Sequence, residues 1–360
     1  MIIGIEAERA NNPAKTGVEH YAKQLILSLA KLDSKNTYIL YLRTKPESWF
    51  LNLPKNFQLK VIPFPIFWTQ LRLSWEMFVN PVEVLFIPAS ALPIYHPKKT
   101  IVTIHDLAWK FYPESFTWFN RTFLELSTRF AVSHGMKIIA VSEHTKKDII
   151  KFYGTDSKKI QVVHHGYEQE STPLSELVSK LELPEKYILF LSTLQPRKNL
   201  AGLIEAFKKL KKENPELPEK LVVVGKTGWK YEEIMEKIKS NMDIVVYVNY
   251  VSDADKFQIL SHASLLVLPS FYEGFGMQIL EAFAQKVPVA TSNVSSMPEV
   301  AGEGAIYFEP HNTEEIKNAI KVVLTNKSLA EGLVEKGSQR LKQFSWEKCA
   351  NETINAINSI

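Results

Sequence analysis

Short apolar runs alternate with amphipathic stretches from the first residues of this chain to nearly the last. Ile2–Glu6, Tyr38–Leu42, Leu59–Ile62, Val84–Ile87, Thr100–His105, Lys137–Val141 and Ile160–His164 have the length and continuous apolar character of buried strands. Between several of them, Val18–Lys31, Trp118–Ser133 and Glu143–Phe152 repeat apolar residues at helical spacing. The alternation then starts again. Tyr187–Ser192, Lys220–Val224, Ile244–Asn249, Ser264–Pro269, Val287–Thr291 and Ala305–Phe308 read as strands. Asn199–Glu213, Tyr231–Lys239, Ala254–His262, Met277–Ala284, Thr313–Thr325 and Leu329–Phe344 read as helices. Strands buried on both faces and separated by helices predict mainly parallel, doubly wound sheets in an α/β protein.

At 360 residues the chain has room for two such domains, each with its own core. The polar stretch Glu168–Pro184, with two prolines, reads as the linker. The predicted division is 1–170, then 171–345, with 346–360 a final helix packing back on the first domain. Sheets of this kind bind ligands beyond the carboxyl ends of their strands, so two facing sheets would set a donor site and an acceptor site across a cleft.

Composition narrows the class. Hydrophobic residues at 45% and charged residues at 23% suit a globular protein rather than a disordered one. One cysteine, Cys349, forbids an internal disulfide and suits a reducing compartment. The opening Met1–Ile5 reads as a strand rather than an export signal, and no apolar run reaches the ~18–20 residues needed to span a bilayer. A cytoplasmic protein is expected. The net charge of +4 is uneven: residues 1–170 carry 21 Lys/Arg against 15 Asp/Glu, and the remainder 22 against 24. A basic first half suits an anionic surface or substrate, although scattered solvating lysines give the same count.

The chemistry concentrates in Pro269–Phe283, which reads PSFYEGFGMQILEAF. It follows a predicted strand, turns through Gly274-Phe275-Gly276 and opens a helix. Glu273 and Glu281 lie eight residues apart, which on one helix would turn them about 80° from each other. With Glu273 in the loop and Glu281 in the helix, both can face one ligand. The glycines admit close backbone approach, and a helix N-terminus favours a diphosphate. A second segment, Thr193-Leu194-Gln195-Pro196-Arg197-Lys198-Asn199, places two cations where another strand turns into a helix. A third, Thr103-Ile104-His105-Asp106, ends an apolar strand in a His-Asp pair, and a fourth, Lys15-Thr16-Gly17-Val18, opens the first helix.

Taken together these segments resemble family 4 of the retaining nucleotide-sugar glycosyltransferases, which share the GT-B fold and a Glu-x7-Glu motif. The likeness runs nearly the full length, including Val141–Lys146 and Phe344-Ser345-Trp346, where Ser142 also reads as a plain helix N-cap. The resemblance implies two Rossmann-like domains facing across a cleft. It implies that Glu273 meets donor-sugar hydroxyls, Glu281 holds the ribose, and Lys198 with Arg197 clamps the diphosphate. It places His105 near the reacting carbon, with Asp106 fixing the ring by a hydrogen bond, and sets Gly17, Gly225 and Val251 at the donor beside Gly274, Phe275 and Gly276. The sequence departs from the family at Thr193, where many members have arginine, and at Gly17, where many have two glycines.

The expected reaction moves a hexose, mannose from GDP-mannose first, to a glycan or lipid-linked saccharide acceptor, with no metal and no other cofactor. No nucleic-acid partner is expected. UDP-glucose and UDP-N-acetylglucosamine stay open as donors. So do two rival functions, a nucleotide-sugar epimerase on the same fold and a non-catalytic nucleotide-sugar-binding protein. Asp253-Ala254-Asp255 imitates a metal motif but reads as a helix start, and Gly225-Lys226-Thr227 lacks the first glycine of a P-loop. Lys198→Ala and Glu273→Ala are expected to fold normally and lose transfer. Phe64–Trp75, aromatic and basic, reads first as a core-packing element lining the acceptor pocket, and second as a rest on a membrane interface.

Overall fold

The computed structural model describes residues 1–12, 17–168, 181 and 183–360. Lys15 and Thr16, and most of the linker Glu168–Pro184, lie outside those residues. The chain divides into two compact units. One holds Met1–Phe111, Thr117–Gly166 and Phe344–Ile360; the other holds Tyr112–Phe116 and Tyr167–Gln343.

The first unit is built on β1 (Ile2–Glu6), β2 (Thr37–Leu42), β3 (Phe57–Val61), β4 (Val84–Ile87), β5 (Thr100–Ile104), β6 (Lys137–Ala140) and β7 (Ile160–Val162). They form one all-parallel sheet in the order β3-β2-β1-β4-β5-β6-β7. The central strands β4 and β5 are apolar or threonine throughout and wholly buried, which is why they sit mid-sheet with helices on both faces. The edge strand β3 buries only Phe57. The order reverses between β1 and β4, so the ends of those two strands form the sheet's switch point.

The helix Trp346–Asn358 packs against the first helix, Gly17–Leu32, and Ser345 caps it by accepting the N–H of Lys348. Trp346 is buried there, with its ring 6.2 Å from His165 and 5.9 Å from His20. Gly166 passes so close that a Cβ on it would stand 2.1 Å from the Trp346 nitrogen. Only glycine fits at that crossing.

The second unit carries β8 (Tyr187–Leu191), β9 (Lys220–Val224), β10 (Val245–Val248), β11 (Leu265–Leu268), β12 (Val289–Ser292) and β13 (Ala305–Phe308). These too run parallel, in the order β10-β9-β8-β11-β12-β13. The helix Leu200–Glu213 buries Leu203, Ile204, Phe207 and Leu210 on one stripe, against Phe190 of β8 and Val223 of β9. Truncating Phe207 would cost about 3–5 kcal/mol, the usual effect of emptying a fully buried aromatic site. Here the switch point falls between β8 and β11. The sequence places the Arg197-Lys198 and Glu273 segments just beyond those two strands.

The predicted elements differ from the observed ones mainly at their ends. The helix expected at Leu329–Phe344 runs Lys327–Leu341, because Asn326 caps it two residues earlier by accepting the Leu329 N–H. Two short helices, Ser74–Val79 and Met297–Ala301, were not legible. Five or six residues are too few to display a helical period.

Candidate active site

Strand β8 ends at Leu191, and its continuation is stapled to the loop after β9. Ser192 N–H donates to Val224, Leu194 to Lys226, and Gly228 in turn to Leu194. Gly225 makes that staple possible. Its φ is 154°, and a Cβ there would lie 1.9 Å from the Ser192 carbonyl oxygen. Beyond the staple, a short turn over Pro196–Lys198 ends at Asn199 in the left-handed region, φ 55°. The amide of Asn199 donates to the carbonyl of Pro310, 2.7 Å away, which locks the turn in place.

The loop after β11 meets that turn directly. Phe271 N–H donates to the Arg197 carbonyl at 2.9 Å, and the Arg197 guanidinium returns a 2.9 Å bond from Nη1 to the Tyr272 carbonyl. The Phe271 ring lies stacked between His311, at 4.4 Å, and Tyr112, at 5.8 Å. Glu273 is thereby delivered into a buried corner. Its Oε1 accepts from Lys198 Nζ at 2.5 Å and from Ser270 Oγ at 2.7 Å, while Oε2 lies 3.5 Å from Arg197 Nη1. Its backbone is fixed as well: its N–H donates to Ser295 Oγ, and Ser296 Oγ donates to its carbonyl and to that of Phe275.

Burial alone would raise the Glu273 carboxyl pKa. The Lys198 and Arg197 charges, with hydrogen bonds from Lys198 and Ser270, outweigh it and hold the group below its ordinary value. Two cations and one carboxylate leave this corner one positive charge in excess. Arg197 Nε, also buried, has no hydrogen-bond partner among the described residues. A buried donor without an acceptor is costly and rare, and in an excess-positive corner an anionic group would satisfy it.

Gly274, Phe275 and Gly276 are buried beneath the loop, and Gly276, at φ 96°, opens the helix Met277–Ala284 in a conformation side chains avoid. Glu281 stands on that helix, but its Oε1 accepts from Lys256 Nζ, 2.8 Å away, on the helix Asp253–Ser261. The structure thus joins Arg197, Lys198 and Glu273, and gives Glu281 a separate cationic partner. Val251 is half-buried beyond β10. Ser252 caps the following helix by accepting the Asp255 N–H and donating to Asp255 Oδ2 at 2.5 Å. Asp255 is therefore spent on a helix start, while the Asp253 side chain lies outside the described residues.

In the first unit His105 follows β5 and is partly buried. Its Nε2 lies 2.9 Å from the Pro88 carbonyl, and the Tyr21 ring meets it edge-on at 4.9 Å. Burial lowers its pKa, so the imidazole is neutral near pH 7. The expected hydrogen bond from the ring to Asp106 is not what holds it. Asp106 Oδ1 instead accepts the Ala108 N–H and starts the short helix Ala108–Phe111, leaving Pro88 as the anchor. Gly17 opens the first helix, and no atom of the described residues lies within 4 Å of a would-be Cβ, so packing among them does not require glycine there.

Sequence reasoning missed Ser270, Ser295, Ser296 and Lys256. Ser270 lay inside the motif read, but nothing local marks Ser295 (φ 53°) or links Lys256 to a residue 25 positions away. It also passed over Glu6, buried at the end of β1, whose carboxyl is pushed up to about 7 chiefly by burial.

Comparison with known proteins bears on the whole arrangement. Residues 16–171 match the family described as Glycosyltransferase Family 4, and residues 171–340 match Glycosyl transferases group 1. The O-antigen chain mannosyltransferase B of Escherichia coli is 30% identical over 293 residues, covering 79% of this chain and 76% of that one. The chain belongs to glycosyltransferase family 4. It is an enzyme of the hexosyltransferase class. The serotype-specific mannosyltransferase WbdA of Escherichia coli is 24% identical over 73% of this family 4 chain, a match spanning about a third (34%) of WbdA's own length. Among solved structures, Anabaena HepE in complex with UDP and glucose aligns over 100% of this chain and 99% of its own, with a TM-score of 0.74 at 17% identity. Its two parallel sheets and this chain's share the GT-B fold.

Proposed function

We propose that this family 4 enzyme transfers mannose from GDP-mannose to a glycan or lipid-linked saccharide, retaining anomeric configuration and using no metal. The observation that carries the reading is the buried Arg197–Lys198–Glu273 corner at the β8/β11 switch point, with its excess positive charge and the unpartnered Arg197 Nε. A nucleoside diphosphate would supply the missing acceptor and balance the charge. As the sugar–phosphate bond breaks, negative charge grows on the leaving group, and fixed cations stabilise that state more than the ground state. Glu273, ionised and rigid, is available to the sugar hydroxyls. In the first unit His105, neutral, offers a hydrogen-bonding group without a charge.

The choice of mannose rests on the two Escherichia coli relatives, both mannosyltransferases. The Anabaena neighbour, solved with UDP and glucose, supports UDP-glucose as the second reading. A panel of GDP- and UDP-sugars offered to the purified enzyme with a cell-extract acceptor pool, read by mass spectrometry, distinguishes them. Mannose-specific mass gain on an acceptor is the expected outcome. A clear UDP-sugar preference would replace the donor, and an inverted product by NMR would remove retention.

A further inference from the structure

Between β9 and the helix Glu232–Lys239 the chain doubles back over the continuation of β8. Thr227 pairs with Leu194 in a parallel bridge, flanked by the Leu194 N–H bond to Lys226 at 2.9 Å and the Gly228 N–H bond to Leu194 at 3.0 Å. At Gly228 the approach is too close for any side chain. A Cβ there would stand 2.6 Å from Gln195 Cγ, 2.7 Å from Thr193 Cγ2 and 2.8 Å from the Leu194 carbonyl oxygen. At the far end Tyr231 packs against the core of the second unit. Trp229 and Lys230 form the tip between these two anchors, and Lys230 holds φ 53°, a backbone that side chains seldom adopt.

The ring at that tip does little for the fold. Trp229 is 46% exposed, and among the described residues its face has no aromatic or cationic partner and its indole N–H no acceptor. A broad, uncommitted ring on a pinned and strained turn is well placed to serve as a ligand platform. Its position says which ligand. Gly228 rests on Thr193 and Gln195, and Arg197, with its unpartnered buried Nε, follows two residues later. Lys226 and Lys230, on either side of the tip, have no carboxylate partner among the described residues, so the ground around the ring is positive. These features together suit a molecule that joins a flat π-system to an anion.

We propose that Trp229 is a specificity-determining residue that stacks on the base of a nucleoside diphosphate whose phosphates meet Arg197 and Lys198. An indole covers more of a two-ring purine than of a one-ring pyrimidine, so Trp229 favours GDP over UDP. Trp229 plays this part only if the cation corner holds a diphosphate, as proposed above.

Binding of GDP, UDP and inorganic pyrophosphate to the purified full-length protein is measured by calorimetry for wild type, Trp229→Ala and Trp229→Phe. Trp229→Ala should bind GDP about 5- to 150-fold more weakly, the usual range when a base loses its aromatic partner. UDP should lose less. Pyrophosphate, which has no base, should bind the variant as it binds wild type. Trp229→Phe should keep most of the GDP affinity. GDP should also quench wild-type tryptophan emission, and the part due to Trp229 should vanish in Trp229→Phe, a signature that a merely structural role would not give. Thermal melts check that the half-exposed position tolerates both changes. GDP affinity unchanged in Trp229→Ala, a UDP loss as large as the GDP loss, or a pyrophosphate loss in step with them would each overturn the inference and leave the reading of the cation corner untouched. A wild type that binds none of the three would overturn that reading, and the inference with it.

Discussion

Two strand-end sites in this enzyme face the same physical difficulty and resolve it in opposite ways. His105, beyond β5, and Glu273, beyond β11, are both titratable side chains withdrawn from water. The histidine gives up its charge: burial lowers its pKa, and a backbone carbonyl and an aromatic edge are enough to hold the neutral ring. The glutamate keeps its charge, because two cations and a serine hydroxyl more than offset the desolvation. A site that keeps a charge under cover needs partners for it. A site that needs only a hydrogen-bonding edge does not.

Removing a stored charge should therefore do the most damage. Lys198→Ala leaves Glu273 buried with only the more distant Arg197, so a loss of about 3–5 kcal/mol in urea unfolding is expected. Transfer should fall about 100–1,000-fold. This revises the expectation, drawn from sequence, that such a variant folds normally. Lys198→Met combined with Glu273→Gln removes the pair together and should recover much of the stability while staying inactive. If the double variant were no more stable than Lys198→Ala, the buried pair would not be the reason for the loss.

Next in size is the staple beneath the charged site. Gly225→Ala forces a side chain into a φ that L residues avoid and into the Ser192 carbonyl, and should cost about 1–3 kcal/mol from strain alone. Thermal melts would measure it, and an unchanged melting temperature would show that the loop yields easily.

The neutral site predicts a pH effect instead. His105 has a folded pKa below its unfolded one, so its contribution to stability is present above ~6.5 and is lost as pH falls below that value. Glu6, raised to about 7, has the opposite sign: its contribution is full below ~4.5 and fades as pH rises through 7. The two partly cancel between pH 5 and 7. Glu6→Gln should therefore steepen the loss of stability on acidification, followed by urea unfolding at pH 7 and 5.5, and a flatter profile would contradict this sign.

The smallest effect is expected at Gly17. With no described residue near a Cβ there, Gly17→Ala should shift stability by no more than about 0.5 kcal/mol, or raise it slightly. A large loss of transfer from that variant, with folding intact, would identify the helix start as a surface that a ligand's own atoms approach.

Much of this was legible because the strands are short and largely apolar, so β1, β4, β9 and β13 could be bounded to the residue. The Glu273 segment stood out since Gly276 needs a left-handed backbone and the helix begins immediately after it. Partnerships across the fold were another matter. No local pattern tells that Lys256 reaches Glu281, that Pro88 rather than Asp106 holds His105, or that Ser295 adopts φ 53° to support Glu273. Those depend on which loops the sheet order brings side by side. The segment Phe64–Trp75 was half legible: its composition was visible, but period alone could not separate the buried Trp68 and Leu73 from the outward Trp75.

Phe344–Ile360 belongs to the first unit, with Trp346 lodged beside Tyr21 and His165. A ribosome delivers that unit's helix Trp346–Asn358 only after the entire second unit has emerged. Until then the aromatic seat around Tyr21 stands without its Trp346 ring. A chain stopped short of its final turns would leave that seat open for good.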